Sequence, residues 1–262
     1  MSAYETILYD MQEGVAQITL NRPDSRNALN PDLNRELFAA LQEAESDPQV
    51  RAVLVTGAGK GFCSGADLTV FQARPSPEVV YDNIVNGLGP VMTAIVELPK
   101  PVIGGVNGVA AGAGASLALA CDFRVMAHDA SLLMAFSNIG LVPDAGATWF
   151  LVRQIGYSRA LEFAAEGKSM PAGRCLELGL ANKVAPADDL LDISLAWALL
   201  MASRPTLALG MTKQALRFAQ LNDLPATIEY EARMQQEAYQ SADFVEGVTA
   251  FLQKRKPEFN GR

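Results

Sequence analysis

The sequence predicts an α/β fold that gives way to an all-helical C-terminal region. Up to about Val184, short apolar strand candidates alternate with helices in an uneven strand, strand, helix rhythm. From Leu190 on, four helical segments follow with no strand between them. The middle of the chain supplies a third observation. Pro101 to Ala127, PVIGGVNGVAAGAGASLALACDFRVMA, passes from a short apolar strand through five glycines into a small-residue helix, then into another strand. The chain divides accordingly into a core over 1–189 and a helical region over 190–262.

Taken in order, Glu5 to Asp10 and Val15 to Leu20 read as strands around the hairpin signal Gln12-Glu13-Gly14. Asn30 is placed to cap a helix that has Pro31 at its first position and Leu33, Leu37, Phe38 and Leu41 at helical spacing. That helix ends near Ser46-Asp47-Pro48. Arg51 to Thr56 is a buried strand, followed by a glycine-rich loop and the turn Phe62-Cys63-Ser64-Gly65-Ala66-Asp67-Leu68. Arg74-Pro75-Ser76-Pro77 breaks the chain. Glu78 to Leu98 is helical, with two helices or a break expected at Gly87, Gly89 and Pro90. Val102-Ile103 begins the central strand and Phe123 to Met126 forms the next. Ser131 to Ala135 is extended, and the loop from Ile139 to Thr148 enters a helix carrying Trp149 and Phe150. Helices over Arg159 to Glu166 and Gly173 to Leu178 precede a short strand at Lys183-Val184. The last four helices are Leu190 to Ser203, Pro205 to Gln220, Pro225 to Ser241 and Phe244 to Arg255. Apolar stripes on them (Leu195, Leu199 and Leu200; Ile228, Tyr230, Met234 and Tyr239) require a packing partner, either their own core or a neighbouring subunit.

Composition narrows the function. The net charge of −8 argues against nucleic acid, whose phosphates need a basic face. No apolar run is long enough to span a bilayer, and MSAYETILYD lacks a signal-peptide pattern. The cysteines, Cys63, Cys121 and Cys175, are widely spaced without a CxxC, which suits reduced thiols in the cytoplasm. The single histidine, His128, cannot build a metal site and reads as structural. Acid–base work therefore falls to Asp or Glu, and electrostatic work to backbone N–H groups.

Two glycine-rich turns follow strands, at Gly61 to Leu68 and at Gly104 to Gly114. A turn of this kind opening a helix aims free N–H groups at a negative ligand oxygen; it is also an ordinary feature of α/β chains. Asp144 stands where it can serve as a helix N-cap or as an acid–base group. Lys254-Arg255-Lys256 suits a solvated helix end or a phosphate contact.

These motifs resemble the crotonase (enoyl-CoA hydratase/isomerase) superfamily. The carriers are Asn27-Ala28-Leu29-Asn30, Gly61 to Leu68, Lys100 to Ile103, Asn107 to Gly114, Ala120-Cys121-Asp122 and Gly140-Leu141-Val142-Pro143-Asp144, in the family's order across essentially the whole chain. The resemblance implies a spiral of ββα units with a helical trimerisation region, assembled as a trimer or a dimer of trimers. It implies an acyl-CoA thioester as substrate, with coenzyme A part of that substrate and no separate cofactor or metal. By position, the N–H groups of Ala66 and Ala113 form an oxyanion hole. Arg26, Ala28, Asp67 and Leu68 join Ala66 in contacting the CoA ester. Gly112 and Gly114 join Ala113, and Phe136 and Trp149 line the acyl pocket unless they are ordinary core residues.

The chain departs from the hydratase pattern. Where hydratases carry two glutamates it has Ser116 and Phe136, and Ala113 replaces a glycine. Asp144 remains as the acid–base group. The run Met134 to Asp144 and the stretch Ala110 to Ala115 are closest to the branch that isomerises the ring epoxide of phenylacetyl-CoA to an oxepin. The expected activity is acyl-CoA isomerisation; the alternatives are enoyl-CoA hydration with relocated acids and non-catalytic binding of a CoA ester. A lone carboxylate suits a proton shift, because the same group can remove and return the proton.

Overall fold

A computed structural model describes residues 4–69 and 74–261; Met1 to Ala3 of the N-terminal reading lie outside the described residues. β1 (Ile7–Gln12) and β2 (Val15–Leu20) form the expected antiparallel hairpin. Two sheets then grow together. β3 (Ala52–Gly57), β5 (Val102–Val106), β7 (Phe123–Ala127) and β10 (Lys183–Ala185) extend the hairpin into a sheet ordered β1-β2-β3-β5-β7-β10, parallel from β2 onward. β4 (Gly61–Cys63), β6 (Val109–Ala111), β8 (Ser131–Leu133) and β9 (Ser169–Pro171) form the second sheet in that order. After the β1–β2 hairpin, three successive repeats (β3–β4, β5–β6 and β7–β8) place their first strand in the large sheet and their second in the small one before a helix returns the chain. This is the spiral of ββα units.

The helices of the repeats are α1 (Pro31–Ser46), α2 (Pro77–Asp82), α3 (Gly89–Glu97), α4 (Ala113–Ala120), α5 (Ala147–Ile155), α6 (Tyr157–Glu166) and α7 (Ala172–Glu177). The C-terminal region is α8 (Leu190–Ala202), α9 (Thr206–Ala219), α10 (Leu224–Ala238) and α11 (Ala242–Leu252). α8 lies against β3, β5 and β7. Fully buried Ile18, Leu33, Leu54, Phe62, Ile103 and Leu117 mark the core between sheets and helices.

Polar side chains finish several elements. Asn30 accepts from Leu33 N at 2.9 Å, the expected cap. The Lys100 ammonium donates to the carbonyls of Ala44, Glu45 and Asp47 at 2.6, 2.9 and 2.7 Å, closing the C-terminus of α1. Arg124, 4% exposed, donates to Cys121 O at 2.5 Å and to Ala118 O and Leu119 O at 3.4 and 3.3 Å, which takes up the carbonyls left at the end of α4.

Two expectations need correction. The break foreseen at Gly87 to Pro90 is instead a π-helical turn, Asn83–Leu88, which links α2 to α3 without interrupting the helical path. Pro90 sits in the first turn of α3, where a missing N–H costs little. The joined helix Pro77–Glu97, 21 residues, is long and apolar enough to cross a bilayer, although no such run was expected. Its Val91, Met92 and Ile95 pack in the core.

Candidate active site

The two glycine-rich turns abut. Gly65 has φ +93°, and a Cβ there would stand 2.7 Å from Ala111 O and 3.4 Å from Ala113 N. No side chain fits between these strands of backbone. At the next point of contact, a Cβ on Gly114 would lie 2.2 Å from Cys63 O.

Hydrogen bonds fix the backbone on either side of Ala66. Leu29 N donates to Gly65 O at 2.8 Å, and Asp67 N donates to Leu29 O at 2.9 Å. Asn27 holds the base of this turn. It is fully buried with φ +57°, and its Nδ2 donates to Ala58 O, Gly61 O and Phe62 O at 3.0, 2.9 and 3.2 Å. The Asn27 amide thus stitches two loops together, a role its sequence position does not announce.

On the other side, Gly112 (φ +52°, ψ −126°) turns the chain from β6 into α4. Gly112 N donates to Leu133 O at 2.8 Å, and Gly112 O accepts from Ala115 N and Ser116 N at 2.9 and 3.2 Å. Among the described residues, no backbone carbonyl accepts from the N–H of Ala66 or Ala113. Ala113 is the first residue of α4, so the helix dipole adds to its donor character. All eight residues of α4 are buried. Two such donors on rigid, touching turns can stabilise an oxygen that gains negative charge.

Asp144 lines a cavity that Ala66 also lines; Ala113 lies outside that lining. The α5 N-cap is Gly146, with no side-chain cap bond, so Asp144 is not the cap its position allowed. Its backbone carbonyl accepts from Ala147 N at 2.9 Å and from Ser116 Oγ at 3.1 Å. Its Oδ1 is buried without a hydrogen-bond partner among the described residues. Burial pushes its carboxyl up to about 6. Ser116 is wholly buried and joins the first turn of α4 to the Asp144 loop.

The cavity has a volume of about 660 Å³. Leu29, Phe38, Val80, Ile84, Leu88, Leu141 and Val142 supply apolar wall, and Ala66, Asp67 and Asp144 line it too. Two further carboxylates reach it, and both are engaged. Asp67 pairs with Arg22 at 3.0 Å and accepts from Thr69 Oγ1 at 2.7 Å. The Thr69 hydroxyl above all, with Arg22, holds the Asp67 carboxyl below its usual range. Asp82 accepts from Asn86 Nδ2 at 2.5 Å. Among the lining carboxylates, Asp144 alone has an oxygen that is buried and unpaired.

The other expected residues scatter. Ala28 is buried, and Arg22 donates to its carbonyl. Arg26 is exposed beside Gly61, and Leu68 is 56% exposed. Phe136 is buried behind the turn, its Cζ 3.8 Å from the place of a Gly112 Cβ, outside the cavity lining. Trp149 is not in this cavity. It lines a separate one of about 530 Å³, and Arg153 lies over its ring at 4.2 Å. His128 is exposed at a strand end. Arg255 of the C-terminal basic cluster is held by Glu246 at 2.6 and 2.8 Å. Among the described residues no group of three or more His, Cys, Asp or Glu could hold a metal ion.

Known proteins resemble the chain over nearly its whole length. The family model described as enoyl-CoA hydratase/isomerase matches residues 10–262. The chain is 41% identical over 261 residues to a 1,2-epoxyphenylacetyl-CoA isomerase of Escherichia coli K12, covering 98% of this chain and 99% of that one. It is 44% identical to a probable enoyl-CoA hydratase of Rhodobacter capsulatus over 99% of this chain and 100% of the relative. The crystal structure of an enoyl-CoA hydratase from Polaromonas sp. JS666 superposes with a TM-score of 0.93 at 39% identity, covering 97% of this chain and 99% of that one.

Proposed function

The chain belongs to the enoyl-CoA hydratase/isomerase family and is an enzyme of that family, and from that premise we propose that it is an acyl-CoA isomerase. The observation that carries this reading is that Asp144, alone among the carboxyls lining the cavity, has a buried oxygen without a hydrogen-bond partner among the described residues. The thioester carbonyl oxygen lies between the N–H groups of Ala66 and Ala113. Asp144, ionised, takes a proton from the acyl carbon chain. The electron pair left behind spreads onto the carbonyl oxygen as an enolate, where the two donors stabilise it. Asp144 then returns the proton to another carbon, and the double bond has moved with no net gain or loss of atoms. In the ring-epoxide version, the same carboxyl serves the ring oxygen as the epoxide opens toward the oxepin.

Addition of water asks for more. One group must position and deprotonate water while carbon also receives a proton. Ser116 occupies one of the hydratase glutamate positions and is bonded to the Asp144 carbonyl; Phe136 occupies the other and is apolar and buried. The likeness to a 1,2-epoxyphenylacetyl-CoA isomerase supports a ring-oxidised phenylacetyl-CoA as the substrate. Hydration is the second reading, favoured by the 44% identical Rhodobacter relative.

Exposed apolar side chains on the last helices, Tyr239, Val245 and Phe251 among them, support self-association as a trimer or a dimer of trimers. Three buried free thiols suit the cytoplasm.

The test presents purified protein with a 3-enoyl-CoA and a 2-enoyl-CoA and follows the products by chromatography and mass spectrometry. A shifted double bond at unchanged mass is expected. Gain of one water on the 2-enoyl ester, without isomerisation, overturns the reading.

A further inference from the structure

Asn34, on α1, lines the same cavity as Ala66 and Asp144. Its Oδ1 is buried with no hydrogen-bond partner among the described residues, and its Nδ2 donates to none of them. The amide faces the π turn across a gap kept open by a glycine: a Cβ on Gly87 would stand 3.8 Å from Asn34 Nδ2. A buried amide oxygen is nearly always paired; the Asn34 Oδ1 is not, and Nδ2 is the amide atom left open to the cavity. π turns also recur at functional sites. Here the π turn brings Asn83 and Asn86 to the wall of the same cavity. In a cavity with extensive apolar wall, the unengaged polar groups fix the orientation of what it binds.

Because Oδ1 is buried, a ligand in the cavity meets Nδ2, and the group that meets it supplies an acceptor. The nearest lining cation, Arg35, is exposed and bonded to Asp32 at 2.8 Å. The wall therefore offers a neutral donor and, among the described residues, no free cation, which favours a neutral oxygen over a carboxylate. The geometry points to Asn34 as a specificity-determining residue whose Nδ2 donates a hydrogen bond to a neutral oxygen (hydroxyl, ether, epoxide or carbonyl) on the acyl group. This rests on the reading that the cavity holds the acyl part of a CoA thioester.

Isothermal titration of phenylacetyl-CoA and its 2-, 3- and 4-hydroxy derivatives tests the assignment. The parent protein binds at least one hydroxylated ester about ten-fold more tightly than phenylacetyl-CoA. Asn34→Leu, similar in volume and without the donor, brings that preference to within about two-fold and leaves phenylacetyl-CoA binding nearly unchanged. Gly87→Ala, on a different element, narrows the gap in front of the amide and weakens the hydroxylated ester selectively. It keeps the assignment testable if Asn34→Leu does not fold. Equal affinity of the parent for all four esters, or equal loss of all four in Asn34→Leu, overturns the role of Asn34 alone. If the parent binds none of the four, the acyl-CoA reading falls, and this inference with it.

Discussion

Asp122 and Asp144 are both carboxyls pushed up by burial, and they flank the same helix, yet their surroundings are opposite. Asp122 follows the C-terminus of α4. Its Oδ2 accepts from Lys213 Nζ and from Val102 N, both at 2.8 Å. Burial pushes Asp122 up against the pull of that ammonium, and it lowers Lys213. The adjacent carbonyls at the end of α4 are taken by Arg124. Asp144 adjoins the first turn of α4 through Ser116, and there the bonds are left unmade: an orphan carboxylate oxygen and two N–H groups without carbonyls. One end of α4 stabilises the fold. The other end keeps polar groups unsatisfied, which costs stability and suits the proposed roles of binding a reacting oxygen and moving a proton.

Asp144→Asn makes the sharpest separation. It keeps shape and removes the proton carrier, so kcat for isomerisation falls by about 10³-fold. CoA-ester binding by titration stays within a few-fold. The folded-state carboxyl titrates at about 6, above its ordinary value of 3.8. The folded protein therefore holds that proton more tightly than the unfolded chain. The stability this gives is fully present below 3.8 and is lost as pH rises through about 6. Asp144→Asn, which cannot ionise, consequently has a Tm at pH 8 at or above that of the parent, and the gap shrinks toward pH 5. An activity loss accompanied by a lower Tm at pH 8 would make Asp144 a structural residue like Asp122.

Ala113→Pro comes next. Proline is tolerated at the first position of a helix and lacks the N–H, so the variant deletes one oxyanion donor. We expect kcat to fall by about 10²–10³-fold with the fold retained by circular dichroism. An unchanged rate would move the oxyanion site elsewhere.

The other end of α4 gives the reverse signature. Lys213→Met leaves Asp122 without its ammonium and destabilises by about 2 kcal/mol in urea unfolding, with kcat changed less than about three-fold. The two side chains remain 13% and 22% exposed, so solvent moderates the loss. Ser116→Ala has the smallest expected effect. It removes one hydrogen bond to the Asp144 carbonyl, worth about 1 kcal/mol, and lowers kcat by a few-fold through the position of the loop while KM stays put.

The sequence carried the long elements well, because each has its own local signal. Asn30 and Pro31 announce α1, alternation and a tight turn announce the β1–β2 hairpin, and apolar runs announce β3, β5 and β7. The second strands of the repeats carried less. β6 and β9, each three residues of small or mixed character, have no period to detect and exist because neighbouring strands pair with them. The π turn escaped for a related reason: glycine and proline signal interruption, but tertiary packing of Val91, Met92 and Ile95 keeps the helix running.

The glycine pattern located both turns; Asp144 was singled out by its place at a helix entry and by the family resemblance. Composition could not reveal Asn27, Arg22 or Ser116 as scaffold, since each acts through backbone groups distant in sequence. Asn34 was missed because its unpaired amide is a property of the folded cavity. Trp149, placed near Asp144 by sequence, projects into the cavity that holds Asp122 and Lys213.

The central claim is that Asp144, as a carboxylate, removes the proton. The pH dependence of kcat/KM for isomerisation of a 3-enoyl-CoA between pH 5 and 8 tests it most directly. The expected profile is a plateau above about 6 and, below it, a fall approaching ten-fold per pH unit, following the raised pKa of Asp144. A flat profile through pH 5, with the parent protein folded throughout, would contradict it.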